Sequence, residues 1–189
     1  MTKEQIKLRS MIMIALFAAI IGVLAQMTIP LPLVPITGQT LAIGLAATIL
    51  GARKGTLAVI LYLIIGAAGV PVFAGFSAGI SKLVGPTGGF LVGFIPAAFI
   101  IGLYMEKWGF NIKNAVIANI IGMFITLSFG TVWLKISADL SWVAAFAGGF
   151  TPFIIVGILK AVLASWIGII VRTRLISSKL LFLTKANSN

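Results

Sequence analysis

The chain has 189 residues, 60% of them hydrophobic and 9% charged. Soluble domains carry about 25% charged residues, so this composition excludes a soluble globular protein and reads as a polytopic membrane protein of one domain. The net charge of +11 does not mark a nucleic-acid binder: the cations stand at the ends of apolar runs, where they orient helices and meet anionic headgroups.

Six apolar stretches are expected as spans, each near the roughly 20 residues a bilayer crossing needs. The first runs from about Ser10 to Ile29 and is read as a membrane helix, because it lacks a clear cleavage motif. Pro30, Pro32 and Pro35 end it, since proline cannot continue a helix interior. The second runs from about Thr37 to Leu50 and the third from about Gly55 to Val70; both are short. A Gly-rich connection follows, Pro71 to Gly89. The fourth span covers about Phe90 to Met105, the fifth Ile112 to Leu134, and the sixth Gly148 to Val171.

The basic residues set a topology. One side receives Lys3, Lys7, Arg9, Arg53, Lys54, Lys107, Lys113, Arg172, Arg174, Lys179 and Lys185; the other receives Lys82 and Lys135. Cytoplasmic loops carry the excess of Lys and Arg, so both termini are expected inside. The longer connections, 30–36, 71–89 and 135–147, then fall outside. Long loops gathered over one mouth point to a ligand entrance. No internal repeat of the inverted-transporter kind is visible.

Polar groups are placed sparingly. In PLPLVPITGQT (30–40), Thr37, Gln39 and Thr40 bring hydroxyl and amide groups to the outer end of the second span. They either read hydrogen-bonding atoms of a ligand or cap the helix at headgroup level. The connection GFSAGISKLVGPTGGF (75–90) is rich in glycine, which permits positive φ and close approach. Its apolar residues, with Phe73 and Phe76, pack it back over a cavity as a lid. No Gly-Lys-Ser/Thr follows the glycines, so it is not a nucleotide loop, and ATP energy must come from another chain. Two small-xxx-small pairs, Ala15/Ala19 and Ala18/Gly22, allow close helix approach, within the bundle or against a partner. Asn119, Thr126 and Ser128 are read as interhelical hydrogen-bonding groups. Trp108, Trp133 and Trp142 stand at span ends, as an aromatic belt requires, and Trp166 as packing.

Lys160 stands alone in the middle of the sixth run. An ammonium at mid-bilayer costs roughly 2.5–3.5 kcal/mol even on the insertion scale. Such a residue faces a cavity or a partner. Three readings stay open: a counter-ion for a ligand carboxylate, a snorkelling lysine, or an ion pair with Asp139. The only acids, Glu4, Glu106 and Asp139, are all expected in loops or the tail. With no Cys and no His, there is no disulfide, no thiol nucleophile and no ready general base, which argues against an enzyme. No metal and no cofactor are expected. From the residues alone, a small-carboxylate binder and a stand-alone transporter or channel both remain.

The stretches PLPLVPITGQT, GARKG (51–55), YLIIGAAGVPVFAGFSAG (62–79), LVGPTGGFLVGF (83–94), and TPF (151–153) with LKAVLA (159–164) resemble the BioY family, the biotin-binding S-components of energy-coupling factor (ECF) transporters. Order and spacing fit along essentially the whole chain. The resemblance implies six membrane helices with an outward pocket under the third connection. It implies capture of biotin and delivery through a shared transmembrane scaffold subunit and two ATPases of the ABC type, in a prokaryotic cell membrane. It places the Ala15/Ala19 face of the first helix on the scaffold. Biotin's carboxylate would meet Lys160, its rings Phe73, Phe76 and Phe90, and its ureido group Gln39 and Thr37. Ser81, Lys82, Gly85, Thr87, Gly88 and Gly89 of the connection complete the expected binding set, with Lys82 at the entrance. One departure stands out: Gly157 occupies a position, three before Lys160, where the family pattern often has Asp. Positions i and i+3 share a helix face, so Gly157 joins the set.

Overall fold

The computed structural model describes residues 3–181, the side chain of Lys3 excepted. Lys185, assigned above to the inner side, lies outside the described residues. The first helix, α1, runs Lys3–Ala25. The proline-rich stretch after it folds into a small hairpin, β1 (Thr28–Ile29) antiparallel to β2 (Ile36–Thr37), with Thr28 opposite Thr37. Three prolines prevent helix here, and the hairpin returns the chain to the end of α1. Gly38 N–H donates to the Met27 carbonyl at 2.9 Å.

Two short helices follow, α2 (Gln39–Leu50) and α3 (Ala52–Ala67). One residue joins them. Gly51 has φ +82°, a conformation that glycine adopts without steric cost. The connection 71–87 is less irregular than its composition predicts. It contains a 3-10 turn at Ala74–Phe76 and a short helix, α4 (Ile80–Val84). Then come α5 (Gly88–Trp108), α6 (Ile112–Ser137), α7 (Trp142–Gly149) and α8 (Phe153–Ser177).

The expected sixth span is corrected at its start. It begins at Phe153, because Pro152 caps α8 and residues 150–152 turn between two helices. The residues expected as the outer loop 135–147 are mostly helical: α6 continues to Ser137, and α7 starts at Trp142, where the Ser141 hydroxyl accepts from Ala144 N–H at 3.2 Å. Glu106 is corrected as well. It lies inside α5, and its carboxylate accepts from the Ala52 amide at 2.9 Å, which caps α3 where no side chain of that helix does. Ser128 is exposed on α6 and bonds no neighbouring helix.

Helices α5 and α6 form the most extensive pair; α2 packs on α8 and α5, α6 on α8, and α3 on α1 and α5. Small residues allow these approaches. A methyl at Gly102 would strike the backbone of Ala52, and one at Gly89 would strike Trp133 of α6. The core runs through Ala18, Ile21, Ile43, Tyr62, Phe94 and Ala98. Asn119 of α6 ties three helices together, donating to Thr48 Oγ1 at 3.0 Å and to Ser165 Oγ at 3.1 Å. Such interhelical bonds are worth about 0.6–2 kcal/mol each in a membrane.

The outer surface is apolar, with Val143 81% and Ile155 74% exposed. A soluble protein would not leave such a surface open to water; lipid covers it at no cost. Among the described residues, four helical stretches are long and apolar enough to cross a membrane: Glu4–Ala25, Gly88–Trp108, Ile112–Ser137 and Trp142–Ser177. At 1.5 Å per residue, the 12 residues of α2 span about 18 Å and the 16 of α3 about 24 Å. Neither alone matches a hydrocarbon core of about 30 Å.

The basic residues gather at one end of this bundle. The buried Arg172 guanidinium donates to the Ile49 carbonyl, and its Cζ lies 3.4 Å from the Phe110 ring centroid. Arg9 donates to the Lys179 carbonyl at 2.8 Å. The end of α2 and the 109–111 turn are thereby joined to α8, and α1 to the turn after it. The hairpin, the 71–87 connection and α7 stand at the opposite end.

Candidate ligand site

A cavity of about 190 Å³ opens beneath the hairpin and the 71–87 connection. A single water needs roughly 10–15 Å³ by the same measure, so there is room for a small organic molecule. A second compartment of about 50 Å³ lies beside it. Thr40, Phe94, Thr126, Leu127, Phe153 and Lys160 line both, so Lys160 stands where the two meet.

Lys160 reaches that position from α8, and its Nζ donates to the Thr37 carbonyl at 2.6 Å. Of the three readings open from sequence, the structure adopts neither the snorkelling one nor the ion pair. The side chain crosses to β2 instead of running along α8, and Asp139 sits in the turn after α6. One carbonyl uses one of the three ammonium hydrogens. The side chain also lines both compartments. A partly buried ammonium surrounded by dipoles favours an anion there, since burial without a counter-charge is costly.

From Thr37 a chain of side-chain bonds leads away from Lys160. Thr37 Oγ1 donates to Gln39 Oε1 at 2.8 Å, and Gln39 Nε2 meets Tyr62 OH at 2.6 Å. Gly38 holds the N-cap position of α2, and Thr37 Oγ1 accepts from the amide of Gln39, the first residue of that helix, at 3.3 Å. Tyr62 in turn packs edge-on against Phe73, centroids 5.5 Å apart, and Phe73 fits a notch that a methyl at Gly66 would close. Phe73, Phe90, Leu91, Phe94 and Phe153 supply apolar wall. The arrangement suits a molecule with an apolar body, an anionic end at Lys160, and hydrogen-bonding atoms near Gln39, Thr40 and Ser77.

Of the residues expected from sequence, Thr37, Gln39, Phe73, Lys82, Thr87, Phe90 and Lys160 line the larger cavity. Gly157 lines the smaller one, beside Met123, whose sulfur fills the space a side chain at 157 would enter. The others stand elsewhere, for physical reasons. Phe76 points outward, 72% exposed. Ser81 is exposed on α4. The Gly85 carbonyl accepts from Trp133 Nε1 at 2.9 Å. Gly88 and Gly89 are taken up by close backbone contact with Leu83 and α6. Sequence reading missed Tyr62, Phe153, Ser77 and Gln26. Tyr62 and Phe153 carry little signal, being apolar-looking residues in apolar runs. Gln26 was legible as the only amide side chain in the first apolar run.

These features define a class: a helical membrane protein of the S-component fold, with a cavity under its hairpin and its 71–87 connection. The structure superposes on a 2.1 Å crystal structure of the S-component for biotin from an ECF-type ABC transporter, with TM-score 0.83, 26% identity, and 92% and 95% of the two chains covered. Residues 1–177 match the BioY family. The chain is 45% identical to biotin transporter BioY2 of Lactococcus lactis subsp. cremoris over 88% of this chain and 91% of that one. It is 40% identical to biotin transporter BioY of Thermotoga maritima, over 86% and 95%. The chain belongs to the BioY family, and its relatives are named for transport, not catalysis.

Proposed function

We propose that this chain captures biotin as the S-component of an ECF-type, ATP-driven uptake system in a prokaryotic cell membrane. The observation that carries the reading is the Lys160 ammonium, placed at the junction of the two compartments and bonded, among the described residues, to the Thr37 carbonyl alone. Biotin has a carboxylate for that ammonium, a hydrophobic bicycle for the phenylalanines, and a ureido group for Gln39 and its neighbours. The chain is a single integral membrane domain with six crossings and both termini inside. The hairpin with α2, and α3 with the start of its connection, complete the two short crossings. The gathering of Arg9, Lys54 and Arg172 at one end supports this orientation.

Energy comes from partners. Ala15 and Ala19 are exposed on α1, whereas Ala18 and Gly22 of the second small-residue pair are buried. The exposed pair is the face that docks on the transmembrane scaffold, which carries two ABC-type ATPases. The test is uptake of labelled biotin by cells with no biotin uptake of their own. Uptake is expected only when scaffold and ATPases are expressed with the chain. It should vanish when the ATPases cannot hydrolyse ATP. Robust uptake by the chain alone would overturn the mechanism in favour of a stand-alone carrier.

A further inference from the structure

The roof of the larger cavity is the segment 72–77, and one side chain at the end of α1 bonds its backbone at three points. We propose that Gln26, at the end of α1, is the positioning residue of this roof. Its Nε2 lies 3.0 Å from the Gly22 carbonyl, 3.3 Å from that of Val72 and 3.1 Å from that of Phe73. Its Oε1 accepts from Phe76 N–H at 2.8 Å. A primary amide has two donor hydrogens and an acceptor oxygen, so both hydrogens are shared among three carbonyls while the oxygen holds the Phe76 amide. The Gly22 carbonyl belongs to the last turn of α1, where helix carbonyls have no partner of their own. Gln26 therefore joins the end of α1 to the roof.

The roof needs an external clamp. Gly75 and Phe76 both have positive φ, +66° and +54°, and the second is a bulky residue in a region such residues avoid. That pair of conformations turns the Phe76 amide toward Gln26. Inside the segment, Phe73 N–H donates to the Ser77 carbonyl at 3.0 Å and Ser77 Oγ to the Ala74 carbonyl at 2.8 Å. Those bonds shape the turn; the Phe73 ring at Gly66 and the Gly79 N–H, which donates to the Gly66 carbonyl at 2.8 Å, tie it to α3, and Gln26 ties it to α1. Phe73, Ala74 and Ser77 line the cavity, so releasing Gln26 opens it from above. The functional half of this assignment rests on the cavity being the biotin site.

Two readouts separate the assignment from that reading. The first is hydrogen exchange of the ligand-free protein in detergent, which needs no ligand. Gln26→Leu keeps the volume and removes the amide. It is expected to speed exchange at residues 72–79 at least tenfold, with the rest of the chain unchanged. Gln26→Glu keeps the acceptor for Phe76 N–H but turns a carboxylate toward three carbonyls. It is expected to loosen the Phe73 and Gly79 amides while Phe76 stays protected, and it decides the matter if Gln26→Leu does not fold. The second readout is biotin dissociation, expected at least tenfold faster in Gln26→Leu. Unchanged exchange at 72–79, or faster exchange throughout the chain in Gln26→Glu, overturns the assignment. A roof loosened as expected in a protein that binds no biotin would leave Gln26 as the clamp and refute the biotin reading alone.

Discussion

Lys160→Ala is expected to weaken biotin binding about 10- to 150-fold. A hydrogen bond to a charged group contributes about 1.5–3 kcal/mol, and each 1.4 kcal/mol is a factor of ten. The ammonium in question is bonded at 2.6 Å to a carbonyl of β2, so it is held in place before the ligand arrives. Preorganisation of that kind raises the value of the contact. Truncation also frees the Thr37 carbonyl, so part of the loss could come from a shifted hairpin. Two comparisons isolate the charge. Lys160→Met keeps the stem and should lose as much affinity as Lys160→Ala. Biotin methyl ester, which has no carboxylate, should bind the native protein weakly and the two variants no worse. The coupling between side chain and carboxylate is then read directly, as in a double-mutant cycle. Equal affinities for acid and ester in the native protein would make Lys160 a structural residue.

The second large effect concerns assembly. Replacing Ala15 and Ala19 together by Leu is expected to abolish co-purification with scaffold and ATPases. Biotin affinity should stay within about twofold. Both alanines are exposed while Phe17, Ala18 and Ile21 between and beside them are buried, so the leucines project away from the bundle. Close helix approach in a membrane depends on small residues, and two leucines prevent it. Ala18→Leu is the contrasting variant. Ala18 is 3% exposed in the core, and overpacking there costs about 1–3 kcal/mol; it should lower stability first. A complex that survives the Ala15/Ala19 change would show that α1 is not the docking face.

Much of the architecture was written in the order of apolar runs and breakers. The start of α6 at Ile112 follows from the polar turn before it, where Asn111 accepts from Asn114 N–H at 2.9 Å. The start of α8 differs from expectation because the run from Trp142 to Leu159 is apolar but for Thr151. Hydropathy cannot register a turn between two apolar helices, although Pro152 was the available mark. Glu106 was assigned to a loop on its charge, yet a carboxylate at the end of α5 is useful where it meets the first amide of α3. Lys160 was legible because its cost in lipid is high. The hairpin partner that orients it was not, since a backbone carbonyl 123 positions away leaves no trace in composition. The same holds for Gln26 and the carbonyls 46 and 47 positions on. Residues expected to bind because they are glycines, Gly88 and Gly89, proved to be sites of close helix contact. Glycine serves either purpose, and spacing alone does not tell them apart.

The central claim is that a carboxylate-bearing vitamin sits in the cavity between the hairpin, the 71–87 connection and Lys160. Calorimetric titration of biotin into ligand-depleted protein in detergent tests it most directly, with thiamine and riboflavin as controls. Saturable one-to-one binding of biotin, and none of the two controls, is the predicted result. A folded protein that takes up no biotin, or that binds the controls equally well, would contradict it.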